Sequence, residues 1–273
     1  MKKETYTLKA VPTKKLKLSI VKGNSKLGKG IYAYSTLPGD AKHLLRTATG
    51  DLLCDVPGTC TGNCEACFGR GCYAVNAARR YSSTVIPAWA QNTELLRRDP
   101  EGTFERINAF IKKRNVKVFR INVSGELRNK EDLVRWNDLA TKNPGVRFCL
   151  YTKNYQAVIE YMDALEGRGC PPATADNLVI NISQWHGVAD AALPKLKKWQ
   201  EEKRLNVFEY DDSNRKGSRL GAGDVSRLAA LKHCPAVTKT GKHAKTPEGK
   251  PITCDMCGRC YRKTGETTAV YAH

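Results

Sequence analysis

The chain has 273 residues, of which 41% are hydrophobic, and this predicts one α/β domain, with or without a small appendage, rather than two large domains. No apolar run reaches the roughly 18 residues of a membrane span, and the charged N-terminus is unlike a signal peptide, so we expect a cytoplasmic protein without membrane contact. The net charge is +19. A positive field of this size attracts polyanions and favours a nucleic-acid partner, with a merely solubilising surface as an equal alternative.

The first residues of the chain are strongly basic. Residues 1–30 contain nine lysines and a single acidic residue, Glu4, and they mix lysine with Leu, Ile and Val. This composition predicts a basic N-terminal arm or an edge strand. A second basic stretch runs from Lys232 to Lys263, so we expect any nucleic acid to bind through the basic termini.

The next segments predict a strand, a loop and a group of helices. Residues 31–35 favour a short strand, and a connection punctuated by Gly and Pro leads from it to a cysteine-rich loop. Residues 73–114 favour helices that break at Pro87 and at Asp99-Pro100. Residues 116–123 form the clearest strand, because β-branched and aromatic side chains recur there with period two.

Helices and strands then alternate at intervals of about 30 residues, as in βαβ units. The predicted helices are 131–141, 155–165 and 191–203, and the predicted strands are 146–151, 178–183 and 205–210. The pattern predicts a partial (βα)-barrel of about five or six parallel βα units over residues 31–225, shorter than an eight-stranded barrel. Residues 226–273 are predicted to form a cysteine-rich C-terminal extension with a second metal site.

Eleven cysteines in a chain without an export signal are better explained as metal ligands than as disulfides. Cys60, Cys64 and Cys67 lie four and three residues apart in one loop. Four thiolates normally close a four-iron, four-sulfur cluster, so three ligands leave one iron open to a cofactor or substrate. This spacing therefore predicts an enzyme.

Two further cysteines near this loop leave its ligand set open. If Cys54 or Cys72 supplies a fourth thiolate, the cluster is closed and the enzyme hypothesis fails. A set of Cys60, Cys67 and Cys72 is a further alternative. Cys149 and Cys170 are predicted to be free thiols.

A second cysteine group is predicted near the C-terminus. Cys254, Cys257 and Cys260 are each separated by two residues, and Cys234 upstream is a candidate fourth ligand. Such a run is typical of ferredoxin-type clusters, whereas structural zinc normally uses separated pairs of cysteines. The spacing therefore favours a second four-iron cluster over zinc.

The Cys-x3-Cys-x2-Cys loop resembles that of the radical S-adenosylmethionine enzymes. In that superfamily the open iron chelates S-adenosylmethionine, and an electron from the cluster cleaves it to methionine and a 5'-deoxyadenosyl radical. The resemblance implies that Gly125-Glu126 holds the ammonium group of the cofactor, with Ser124 replacing the usual second glycine. It also implies a contact from Ser183 to the carboxylate or ribose.

The whole chain from about Gly28 onward also resembles the phage and mobile-element gene product 88 family. The motifs that carry this resemblance are Cys72-Tyr73-Ala74, Ser124-Gly125-Glu126, Tyr151-Thr152-Lys153, Ile182-Ser183-Gln184-Trp185, Cys234-Pro235, Cys254 to Cys260, and His273. This resemblance implies membership of a family but supplies no reaction.

These patterns together predict a cytoplasmic radical S-adenosylmethionine enzyme with two four-iron clusters, acting on an unknown substrate for which nucleic acid is a candidate. Lys153 and Asp211, at predicted strand ends, are candidate catalytic residues. An electron donor such as flavodoxin or ferredoxin is the expected partner. The alternative is a non-enzymatic nucleic-acid-binding protein stabilised by zinc or iron-sulfur sites.

Overall fold

The structure is a computed structural model that describes residues 5–24, 26–60, 68, 72–167, 174–184, 193–214, 218, 220–240 and 242–271. Within these ranges the chain forms an eight-stranded sheet flanked by helices. The strands are β1 (Ile20–Lys22), β2 (Ile31–Tyr34), β3 (Val118–Ile121), β4 (Arg147–Thr152), β5 (Leu178–Gln184), β6 (Asn206–Asp211), β7 (Lys232–His233) and β8 (Thr267–Tyr271). The helices are α1 (Tyr73–Arg80), α2 (Ser82–Arg98), α3 (Pro100–Arg114), α4 (Lys130–Thr141), α5 (Tyr155–Glu166), α6 (Leu193–Glu201), α7 (Ala222–Ala229) and the single turn α8 (Cys254–Cys257).

The sheet is mostly parallel and has the order β1-β2-β3-β4-β5-β6-β8-β7. Only β1 is antiparallel to its neighbour, and it pairs Ile20 with Tyr34. All other neighbouring pairs are parallel. The predicted α/β class is confirmed. Over the described residues the sheet is open and not closed into a barrel, because β1 and β7 lie at opposite edges.

The two faces of the sheet differ in what covers them. Helices α3 to α6 pack on one face, where Phe119, Phe148 and Ile180 join a single hydrophobic cluster with side chains of these helices. Because side chains alternate along a strand, Arg120, Cys149 and their neighbours point to the opposite face. That face carries a smaller cluster that includes the C-terminal cysteine segment.

The predicted strands and helices between residues 116 and 211 are confirmed, with ends shifted by one to two residues. The predicted break at Asp99 is also confirmed, since the Asp99 carboxylate accepts from Gly102 N at 3.0 Å and Pro100 opens α3. The predicted break at Pro87 is wrong, because Pro87 lies inside α2. Ser83, whose carbonyl loses its helical partner to Pro87, is exposed, so water is able to satisfy it.

Both ends of the chain join the sheet. The basic N-terminal segment contributes the edge strand β1, and Asn92 fixes it by accepting from Ser19 N and donating to the carbonyls of Ser19 and Ser35, all at 2.8 Å. The C-terminal segment, expected as an extension, contributes β7 and inserts β8 between β6 and β7. None of the described helices is long and apolar enough to cross a bilayer.

Candidate functional site

The loops that follow β2 and β3 meet at the carboxyl edge of the sheet. Thr36, just after β2, donates from its amide to the Ser124 carbonyl at 3.0 Å. The hydroxyls of Thr36 and Thr59 share a hydrogen bond of 2.7 Å, and Thr59 Oγ1 accepts from Glu126 N at 2.8 Å. These contacts hold Ser124, Gly125 and Glu126 against the segment that leads into the cysteine loop.

Gly125 is required by this packing. Its φ is +79°, and a Cβ at this position would lie 1.9 Å from Thr36 Oγ1 and 2.6 Å from Thr59 Oγ1. Any larger residue would push the two threonines apart. It would also have to adopt a positive φ, which residues with a Cβ disfavour. The glycine therefore serves the close approach of the two loops.

Glu126 is buried and joins the loop after β3 to the loop after β4. Its Oε1 accepts from Leu127 N at 2.9 Å and its Oε2 accepts from Lys153 N at 2.7 Å. Burial raises the pKa of Glu126 above its usual value, while the Lys153 ammonium and the hydrogen bonds from Thr152, Lys153 and Leu127 oppose this rise. With three hydrogen-bond donors on about four acceptor positions, the carboxylate keeps capacity for another donor, so the group is suited to accept a cationic ligand.

Two serines predicted to contact a cofactor are buried near strand ends. Ser124 is 3% exposed, and its hydroxyl has no hydrogen-bond partner in the described part of the chain. Ser183, in β5, is also buried, and its carbonyl accepts from the Tyr155 hydroxyl at 2.6 Å. An unsatisfied buried hydroxyl is uncommon in proteins, and a bound ligand is one way to satisfy it.

Cys60 and Cys72 lie at the two ends of the cysteine loop. Cys60 is held beside the residues after β2, because its amide donates to the Gly39 carbonyl at 2.9 Å. Cys72 immediately precedes α1, and its carbonyl accepts from Asn76 N at 3.1 Å. Cys64 and Cys67 lie outside the described residues.

Tyr73 connects these two thiols to Glu126. Its side chain is 53% exposed to solvent. The pKa of Tyr73 is raised, with local desolvation as the largest cause, and Arg120 opposes the rise whereas Cys72, Cys60 and Glu126 add to it. Cys60, Cys72 and Glu126 therefore all lie within electrostatic reach of Tyr73.

Cys54 lies in a hydrophobic cluster against which Cys72 also packs. Its side chain is fully buried in a hydrophobic cluster with Leu8, Leu45 and Leu53. Burial raises the pKa of the Cys54 thiol to about 11.

The C-terminal cysteines lie on the face of the sheet opposite the main helices. Cys254 N donates to the Lys26 carbonyl at 2.9 Å, and Cys234 N donates to the Ala269 carbonyl at 2.7 Å. Burial raises the pKa of Cys260 to about 11, with a hydrogen bond from Tyr151 opposing this and Cys234 and Cys254 adding to it. Burial also raises the pKa of Cys254, and Cys234 and Cys257 add to the rise. Cys254 and Cys260 thus pack against one cluster, with Cys234 within electrostatic reach of both and Cys257 within reach of Cys254.

Three further side chains, which the sequence pattern did not link to these cysteines, lie in this region. Cys149, predicted as a free thiol, is buried, accepts from Asn181 Nδ2 at 3.3 Å and packs in the cluster that includes Cys254 and Cys260. Arg120 places its guanidinium 4.6 Å from the centre of the Tyr151 ring. The period-two alternation of β3 and β4 puts Arg120, Cys149 and Tyr151 on one face, and this signal was available in the sequence.

The two predicted catalytic residues lie in different surroundings. Lys153 is beside Glu126, as described above. Asp211 is buried and accepts from His233 Nε2 at 3.1 Å and from Ser213 N at 2.9 Å. Its pKa is lowered: burial opposes ionisation, but the hydrogen bonds from Ser213 and His233 outweigh it.

Among the described residues, no three His, Cys, Asp or Glu side chains form a group arranged to hold a metal ion. Two of the three thiols in the Cys-x3-Cys-x2-Cys loop, and also Cys170, Trp185, His186 and His273, lie outside those residues.

Comparison with known proteins yields one relationship. The family model described as "Gene product 88" matches residues 18–263. No curated protein and no solved structure matches the chain. The resemblance to that family is thereby confirmed, and the resemblance to radical S-adenosylmethionine enzymes stays a prediction.

Proposed function

Because the chain belongs to the gene product 88 family, whose match supplies no reaction, its chemistry must be argued from its own residues, and we propose an iron-sulfur enzyme of the radical S-adenosylmethionine type. The first cluster would be held by Cys60, Cys64 and Cys67, with Cys72 beside it. The second would be held by Cys234, Cys254, Cys257 and Cys260.

The observation that carries this proposal is the hydrogen bond from Glu126 N to Thr59 Oγ1, which holds Glu126 against the residue that precedes Cys60 at the carboxyl ends of β2 and β3. In open α/β sheets ligands bind at the carboxyl ends of parallel strands. A loop with three ligands and a carboxylate one βα unit later is the arrangement that the radical enzymes need. The cysteine spacing and the Gly-Glu pair would be weaker support for this enzyme class on a fold without parallel strands.

Two features of the protein fit the cofactor. Glu126 is a buried carboxyl with a raised pKa, so a neighbouring ammonium group would favour its ionised form. The Ser124 hydroxyl is buried without a hydrogen-bond partner in the described chain, and a polar ligand would supply one. Ser183, buried in β5, is the expected contact to the carboxylate or ribose.

When bound, the cluster and S-adenosylmethionine would supply the electron and the radical that abstracts hydrogen from a substrate. The protein's own residues bind and orient. Glu126 accepts from the ammonium group, and the Thr36–Thr59 contact holds Glu126 in place. The Lys153 ammonium favours the ionised form of Glu126, and Lys153 is the candidate for a proton transfer. Asp211 orients His233, the residue before Cys234, through a hydrogen bond.

The proposed function would suit a sheet that curves into a partial barrel. Helices α3 to α6 cover one face, and the other face carries polar side chains such as Arg120 and Asn181. In a barrel the helices lie outside and the enclosed face lines the site. The C-terminal cysteines pack against the hydrophobic cluster on that face, a place that would suit an auxiliary cluster reached by an electron donor such as flavodoxin or ferredoxin.

Anaerobic reconstitution tests the proposal. The full chain is loaded with iron and sulfide, reduced with dithionite and given S-adenosylmethionine, and 5'-deoxyadenosine is measured by chromatography. We expect 5'-deoxyadenosine from the wild type and a strong loss in Cys60→Ser. Protein that holds iron and sulfide but yields no 5'-deoxyadenosine would refute the enzyme.

A second candidate function is a metal-stabilised nucleic-acid-binding protein of a phage or mobile element. It is favoured by the segment between Cys234 and Cys254, where backbone bridges join Val237 to His243 and Lys245 to Pro251. This segment exposes Lys239, Lys242, Lys245 and Lys250. Colourless protein with bound zinc and salt-sensitive nucleic-acid binding would favour this candidate over the enzyme.

A further inference from the structure

Helix α1 exposes two aromatic side chains. Tyr73 at its start is 53% exposed, and Tyr81, directly after its last residue, is 55% exposed. Among the large hydrophobic side chains exposed in the described chain, these two are the aromatic ones. The opposite side of the helix is buried through Ala74, Val75 and Ala78, so the helix is fixed to the protein while its tyrosines face solvent.

The same surface is positively charged. Arg79 and Arg80 occupy the last turn of α1, and the helix contains no acidic residue. Arg79 Nε donates to the Arg46 carbonyl at 2.8 Å, which brings a third arginine to this surface. Arg80 forms no ion pair within the described residues. The acidic residue in the adjoining turn, Asp51, accepts from the Thr49 hydroxyl at 3.1 Å.

Exposed aromatic rings beside an arginine that forms no ion pair in the described part of the chain are suited to one class of ligand. Single-stranded nucleic acid is bound by stacking bases on aromatic side chains and by pairing phosphates with cations. Tyr73 and Tyr81 are eight residues apart, which along a helix is about 12 Å, a span that suits a short run of nucleotides. Duplex DNA presents no base faces for such stacking.

We propose that the tyrosine–arginine face, defined as Tyr73, Arg80 and Tyr81, binds single-stranded nucleic acid. Tyr81 stacks on a base and Arg80 contacts a phosphate. Tyr73 directly follows Cys72, so a strand on this face is led to the cysteine loop. In this respect the inference rests on the proposed function, because it names single-stranded nucleic acid as the substrate class of that site.

The test measures binding of short fluorescein-labelled oligonucleotides of mixed sequence to the full chain by fluorescence anisotropy over a range of salt. For Tyr81→Ala we expect affinity for single strands to fall by roughly fivefold or more, while Tyr81→Phe, which keeps the ring, retains it. For Arg80→Gln we expect the slope of log affinity against log salt to fall by roughly one. The control is Lys112→Gln with Lys113→Gln, two exposed lysines at the end of α3, which removes charge elsewhere and leaves the Tyr81-dependent component intact.

Several results would overturn the inference. They are equal binding by wild type and Tyr81→Ala, an equal loss in Tyr81→Ala and the lysine control, tighter binding of duplex than of single strands, and binding to anionic vesicles but not to oligonucleotides. Thermal melting of each variant shows whether a fall in affinity is caused by unfolding. If Tyr81→Ala is unfolded, the affinity of Tyr81→Phe supplies the test. Formation of 5'-deoxyadenosine without oligonucleotide is measured in parallel. Failure of that reaction refutes the proposed enzyme, and failure of binding alone refutes only this surface.

Discussion

The Glu126 carboxylate accepts a hydrogen bond from the backbone amide of Lys153 at 2.7 Å, across the carboxyl ends of β3 and β4. The other oxygen of this buried carboxylate accepts a hydrogen bond from Leu127 N, so the two contacts together fix the side chain. Because burial raises the pKa of Glu126, the group is poised to gain from a cation that arrives at the site.

Binding of S-adenosylmethionine should therefore depend on pH through Glu126. Protonated Glu126 carries no charge to attract an ammonium group, and its raised pKa extends the protonated range upward. Affinity should rise as pH rises through that pKa and then level off. Isothermal titration calorimetry on reconstituted wild type and Glu126→Gln measures this, and the variant should bind weakly with little pH dependence in this range. A Glu126→Gln profile that overlays the wild type would remove Glu126 from cofactor binding.

The same pKa shift predicts how stability changes without the cofactor. A carboxyl whose folded pKa lies above its unfolded value binds more protons when folded, so it contributes most stability below the unfolded value and loses it as pH rises through the folded value. Urea unfolding across this range should show Glu126→Gln gaining stability relative to wild type as pH rises. A constant difference between the two proteins would contradict the shift.

Gly125→Ala should destabilise the protein. The added Cβ would lie 1.9 Å from Thr36 Oγ1 at a φ of +79°, so both strain and displacement oppose it, at a cost of roughly 1–3 kcal/mol. Gly223→Ala in α7 is the matched control, because no atom lies within 4 Å of its added Cβ and alanine favours helix. Denaturant unfolding should show a loss for Gly125→Ala and none for the control. Equal stabilities would mean that the Thr36–Thr59 contact is easily displaced.

Substitution of single cysteines should distinguish the cluster ligands from thiols that only pack in the core. Cys54→Ala should lower stability and keep the iron content, since Cys54 is a buried core side chain. Cys72→Ala should keep the first cluster if Cys60, Cys64 and Cys67 hold it. Iron and sulfide counts on reconstituted protein provide the readout. Loss of a cluster in Cys72→Ala would instead assign Cys72 as a ligand.

Arg120 should lower the pKa of the C-terminal thiols. Burial raises the pKa of Cys254 and of Cys260, and Arg120 opposes the rise in both. In metal-free reduced protein, Arg120→Gln should slow alkylation of these two cysteines by iodoacetamide at a fixed pH, because less thiolate is present. Peptide mass spectrometry follows each site, with Lys112→Gln as the control. Unchanged rates would show that Arg120 does not act on these thiols.

Most of the parallel core could be predicted from sequence because its signals are local. The alternation in residues 116–123 and the 30-residue repeat depend on hydrophobic period, which tertiary packing then reinforces. The place of β8 between β6 and β7 is set by contacts between distant segments, and local pattern carries little of that information. Pro87 was misassigned because the cost of a proline in a helix depends on whether the carbonyl it orphans is exposed.

The candidate site was predictable in its residue types but not in its partners. The cysteine spacing and Gly125-Glu126 are visible in the sequence, whereas the two threonines that hold Glu126 come from positions 36 and 59. Nothing local marks those threonines, since their role depends on the close approach that Gly125 permits. Cys149 is a free cysteine, as predicted, but its proximity to Cys254 and Cys260 arises only when the C-terminal segment crosses the sheet.

The most direct measurement of the central claim is the electron paramagnetic resonance spectrum of the reduced first cluster with and without S-adenosylmethionine, recorded on a variant with Cys254→Ala and Cys257→Ala to remove the second signal. If three thiolates leave an iron open, S-adenosylmethionine binds to that iron and changes the g-values of the signal. A spectrum that is identical with and without saturating S-adenosylmethionine would mean a closed cluster, and it would contradict the proposed enzyme.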